Sequence, residues 1–148
     1  MKKIIFLVCT LILTMSFTNE TYLKDVENGE INVTVNTIKS KKGQIVFMLF
    51  NQDKGFPKET EMAFKKGIVT QFNETASYSF QNIPYGKYAV VVFHDEDSDG
   101  EIASNFIGMP KEPVGASNLN RMSKPTFKKC AFDLNEGKKK ISLKFINK

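Results

Sequence analysis

Asp95, Asp97 and Asp99 stand at alternate positions, followed at once by Gly100 and Glu101. Carboxylates spaced in this way can converge on a hard cation such as calcium, and the glycine permits the sharp turn that wraps a chain around it. The seventh position of such a loop supplies a backbone carbonyl, here that of Glu101. The ninth position is Ala103 and the twelfth is Phe106, where a helix-loop-helix calcium site needs a bidentate glutamate. The stretch is therefore no EF-hand, and further ligands would have to come from elsewhere, such as Asn105 or Glu112. A second reading stands beside this one: aspartates cap the backbone of turns and discourage edge-to-edge pairing at strand ends, with no ion involved.

The single histidine, His94, immediately precedes the acids. An imidazole beside a carboxylate is the raw material of general base catalysis. Neighbouring residues of a strand point to opposite faces, however, so His94 and Asp95 form no simple dyad unless the strand has bent. His94 shares a face with Tyr88, Val90 and Val92, which favours a buried, hydrogen-bonded ring. The chain carries no Gly-x-Ser-x-Gly elbow, no phosphate-cradling glycine loop and no zinc ligand set.

The element that must position these groups is the run from Lys87 to His94, almost wholly apolar and entered through the turn Pro84-Tyr85-Gly86. A strand that is apolar on both faces belongs in the middle of a sheet. Gln44 to Phe50 has the same character, whereas Ile31, Val33 and Val35 alternate with polar residues as in a half-exposed strand. Lys58 to Lys66 has room for one or two helical turns. Ile68 to Phe72, Ala76 to Phe80, Lys129 to Leu134 and Lys139 to Ile146 complete the strands. Six or seven short strands with almost no helix predict a single antiparallel β-sandwich. From Asp95 to about Phe127 periodicity lapses, and so long a connection in a small domain is often functional.

The chain is 148 residues long, enough for one domain with a real core. Lys2 and Lys3, an apolar run from Ile4 to Leu13 and a more polar exit have the pattern of an export leader. The expected organisation is a leader at 1–18, a loose linker at 19–29 and the sandwich at 30–148. Cys9 lies inside the apolar run, without the small residue that precedes a lipidated cysteine. Removing the leader leaves Cys130 alone, without an internal disulfide, and its alternation with Phe132 and Leu134 marks it as a small buried hydrophobe. The formal charge of +5 falls to about +3 without Lys2 and Lys3, and the remaining lysines sit in small clusters beside turns. There is no basic stripe with stacking aromatics, so nucleic acid is not an expected partner. Nor does a stable membrane span remain once the leader is gone.

Several segments together resemble the DUF2141 family: Gly86 to Gly100, Asn105 to Glu112, Gly115 to Asn118 and Pro125 to Phe132. The combination of His94-Asp95, Gly108-Met-Pro-Lys-Glu112 and Ser117-Asn118 within one loop carries the likeness. The resemblance implies a bacterial, exported protein with a β-sandwich of the transthyretin-like or carboxypeptidase-regulatory-like kind, and it implies no reaction. It adds Ser117 and Asn118 to the loop positions of interest. The family pattern commonly has an acid near the place of Ala103, a departure that weighs against a metal in this chain. Glu112 is then a candidate partner of the acidic turn, or of Lys111 or Arg121 instead.

These readings define an exported, non-enzymatic binding or accessory module whose acidic loop a calcium ion could staple. The partner class they suggest is an envelope or cell-surface protein or glycan. The alternative is an envelope hydrolase using His94 with a loop carboxylate, an idea that requires the imidazole to be reachable.

Overall fold

The computed structural model describes residues 27–106, 109–121 and 123–146. The expected leader and most of the linker lie outside the described residues. The strands are β1 (Asn28–Asn36), β2 (Gln44–Phe50), β3 (Lys65–Val69), β4 (Thr75–Pro84), β5 (Gly86–Asp95), β6 (Val114–Ala116), β7 (Phe132–Leu134) and β8 (Lys138–Lys144). One helical turn, α1 (Phe127–Cys130), and a 3-10 turn at Thr60–Met62 are the helical elements described. No helix among the described residues is long and apolar enough to cross a membrane.

The strands form two sheets. β4-β1-β8 make the smaller one; β3-β2-β5-β6 make the larger, with β7 also paired to β5. The protein is an all-β sandwich, as the strand pattern predicts, with two differences. β6 forms inside the stretch expected to be irregular, and β8 runs parallel to β1. The parallel pair arises because residues 135–137 are not a hairpin: they carry the chain from β7 on one sheet to β8 on the other. β1 also starts at Asn28, inside the expected linker, and the helical turns expected over Lys58 to Lys66 shrink to the single 3-10 turn before β3.

Alternation along β1 sends Ile31, Val33 and Val35 inward, each with 0% exposure, and leaves Asn32, Thr34 and Asn36 facing outward. They meet Ile45, Phe47 and Leu49 of β2, Tyr88, Val90 and Val92 of β5, and Leu143 with Phe145. The other face of β2 and β5 is equally apolar and forms a second core. Val46, Met48, Phe50, Ala89, Val91 and Phe93 pack there against Ala116, Leu119 and Cys130. Its cover is the irregular chain itself. Phe56 stands edge-on to Phe50 at 5.3 Å, and Phe127 edge-on to Phe56 at 6.0 Å. Two cores on opposite faces explain why β2 and β5 show no polar alternation. Cys130 is buried and unbonded, as expected, but it belongs to α1 and the second core while Phe132 and Leu134 belong to the first. Burial pushes its thiol above the ordinary cysteine value.

Candidate functional site

β5 ends at Asp95, opposite Gln44 at the start of β2. Its carboxylate is fully buried, and three donors hold it. Gln44 Nε2 donates to Oδ2 at 2.7 Å, the Gly100 N–H to Oδ2 at 2.9 Å and the Asp99 N–H to Oδ1 at 3.1 Å. The chain thus folds back on the carboxylate that ended the strand. Ser98 at φ 61° and Gly100 at φ 81° supply the left-handed backbone the reversal needs. Asp99 repeats the device on a smaller scale, its Oδ1 accepting from the Glu101 N–H at 2.8 Å.

Side-chain oxygens of Asp95, Asp97 and Asp99 lie within 4.8 Å of one another, close enough to hold a metal ion. Among the described residues no lysine or arginine forms an ion pair with these three. Asp97 and Asp99 are exposed, so a cation could reach them from solvent. Glu101, also exposed, joins the turn through its backbone.

Glu112 approaches from the return of the loop and is buried. Its Oε1 accepts from the Glu96 N–H and its Oε2 from the Ala103 N–H, each at 3.2 Å. The expected pairing of Glu112 with the acidic turn is therefore made through main-chain N–H groups. Asn105 serves a different purpose: its Oδ1 accepts from the Met109 N–H at 2.9 Å, closing a small hairpin in which Ser104 pairs with Pro110.

Ser117 and Asn118 do not join the acids. Ser117 lies beside Val90, five residues back along β5, or roughly 16 Å from Asp95. Its hydroxyl accepts from the Val90 N–H at 2.9 Å and donates to the Cys130 carbonyl at 2.6 Å. Asn118, at φ 58°, donates to the Ala131 carbonyl at 2.8 Å. Together they stitch the end of β6 to the segment after α1.

His94 is 1% exposed. Its Nε2 lies 2.7 Å from the Lys42 carbonyl, with Phe72 edge-on at 5.4 Å and Phe145 stacked at 6.2 Å. The crevice beside it has a volume of about 40 Å³, whereas substrate pockets run to roughly 300–1,000 Å³. The ring anchors the turn at Lys42 and cannot meet a polymer. Two contributors were not anticipated from the sequence. Gln44 is the one polar residue of β2, and only the register reveals that it faces Asp95. Gly43, at φ 68°, passes so close that a Cβ there would lie 2.0 Å from the Asp95 carbonyl oxygen.

The two buried carboxylates titrate in opposite senses. Burial raises the Asp95 pKa, but the Gln44 amide and the Gly100 N–H, with Asp97 and the Asp99 N–H, outweigh it and hold the group below the ordinary aspartate value. Burial raises Glu112 as well; the Ala103 and Glu96 N–H groups oppose it, Asp95 and Asp97 add repulsion, and the net shift is upward. The Asp95 contribution to stability is thus present above about pH 3.9 and lost as pH falls through its folded value. That of Glu112 is present below about pH 4.3 and lost as pH rises through its folded value. Urea midpoints measured from acid to neutral pH in EDTA should show Asp95→Asn flattening the acid limb and Glu112→Gln the other. An unchanged slope above pH 4 in Glu112→Gln would count against the burial argument.

The fold and the site together define an all-β sandwich with a self-capped acidic turn at the end of its central strand. Residues 33–142 match the family described as "Uncharacterized protein conserved in bacteria (DUF2141)", and the chain belongs to that family. No curated protein and no solved structure matches the chain.

Proposed function

We propose that this protein is an exported, non-enzymatic binding or accessory module, with the connection from Glu96 to Thr126 as its functional face and a calcium ion as the staple of that face. The observation that carries the reading is the convergence of Asp95, Asp97 and Asp99 on one point at the end of β5. Calcium suits such a place because it accepts irregular shells of carboxylate and carbonyl oxygens, where magnesium demands a near-ideal octahedron. Export is supported by the basic, apolar and polar succession of residues 2–19. A module of this kind would meet an envelope or cell-surface protein or glycan. The burial of His94 leaves the hydrolase alternative without a base that a substrate can reach.

Thermal unfolding in EDTA and across a calcium titration tests the staple. An ion bound only by the folded state adds about 2.7 kcal/mol at a hundredfold excess over its dissociation constant. The midpoint should climb with calcium, less with magnesium, and not at all in the double variant Asp97→Ala, Asp99→Ala. Equal midpoints in calcium and EDTA would make the acids a solvated turn.

A further inference from the structure

The second core is covered by loops, and the cover is incomplete. A groove of about 450 Å³ opens over Val91 and Ala116, walled by Ile102, Val114, Leu119 and Ile146. Its volume falls within the roughly 300–1,000 Å³ of small-molecule sites, and its lining has their composition: apolar walls with a few polar groups. The polar groups are Lys58, Lys124 and Ser123, all three exposed, and the Lys58 ammonium also donates to Ser104 Oγ at 3.4 Å. Among the described residues no acid contributes to the lining. Apolar walls call for a hydrocarbon, and a margin whose described charges are lysines calls for an anionic end.

We propose that the groove binds a single-chain anionic amphiphile, its alkyl chain lying over Val91 and Ala116 and its head group held by Lys58 and Lys124. This deepens the binding-module reading, on which it rests, by giving the long connection a ligand class. The connection supplies Ile102, Leu119 and Lys124, so the surface that the acidic turn would hold in place is also one wall of the groove.

Dodecanoate, titrated below its micelle concentration into the full chain in calcium-free buffer, because calcium precipitates long-chain carboxylates, tests the proposal by methyl NMR. Signals of Ile102, Val114, Leu119 and Ile146 should move together and saturate at one ligand per chain. Both lysines are exposed, so the charge reversal Lys58→Glu, Lys124→Glu should fold; it should weaken dodecanoate about tenfold and strengthen dodecyltrimethylammonium. Ile102→Trp, which fills the groove from its partly exposed rim, should block both probes.

Unmoved groove signals would overturn the proposal, as would an affinity indifferent to charge reversal. Groove signals that depend on protein concentration and not on dodecanoate would make the surface a self-association site, which also overturns it. The calcium-dependent rise in midpoint is read separately on matched samples without dodecanoate. Failure of dodecanoate with that rise intact removes the ligand alone; loss of the rise removes the staple.

Discussion

Asp95→Ala should cost on the order of 4 kcal/mol of stability, and should do so in EDTA. The substitution removes the acceptor of three donors at once: the Gln44 amide and the N–H groups of Asp99 and Gly100. A hydrogen bond to a charged group contributes about 1.5–3 kcal/mol, and the three share one carboxylate, so their sum is an upper bound. In a domain of this size the midpoint should fall by roughly 15 °C. Asp95→Asn keeps one oxygen and should lose about half as much. A loss under about 1 kcal/mol for the alanine variant in EDTA would show that the carboxylate matters only to an ion. The expected outcome separates two parts of one turn: Asp95 builds it, and Asp97 and Asp99 stand exposed on it.

Gly43→Ala should be comparably damaging although it touches no side chain of the turn. A Cβ there would lie 2.0 Å from the Asp95 carbonyl oxygen and 2.7 Å from Glu96 Cα, both backbone atoms that cannot swing aside. The residue also sits at φ 68°, which costs an L-residue roughly 1–2 kcal/mol by itself. With overpacking added, a loss of about 4 kcal/mol is expected. Gly100→Ala is the internal control. Gly100 has φ 81°, yet nothing lies within 4 Å of its would-be Cβ. It should show the backbone strain alone, about 1–2 kcal/mol. Equal losses at the two positions, measured by urea unfolding, would refute the contact with Asp95 and Glu96.

Much of this arrangement can be read from residue order. Two-sided apolar runs place β2 and β5 at the centre of a sheet, and the strict alternation of Ile31, Val33 and Val35 places β1 over one core. The buried state of His94 follows from the face it shares with Tyr88, Val90 and Val92. What escapes the sequence depends on distant neighbours. β6 has three residues and no period of its own; it is a strand because β5 offers an unpaired edge. Ser117 and Asn118 look like loop chemistry beside the acids, but antiparallel pairing carries them back along β5, where they bond Val90, Cys130 and Ala131. Asn105 resembles a metal ligand until its hairpin is seen. In each case register, a non-local property, decides which residues meet.

The parallel pairing of β8 with β1 bears on the time course of folding. Residues 30 to 36 lie opposite residues 138 to 144, so about a hundred residues must be made before β1 gains its second neighbour. Domains governed by such distant pairings fold in roughly milliseconds to seconds. During that interval β1 exposes an open edge to any strand that drifts past, including one from a sister chain. Arrival of Lys138, Lys140 and Lys144, all exposed along β8, replaces that adhesive edge with a charged one.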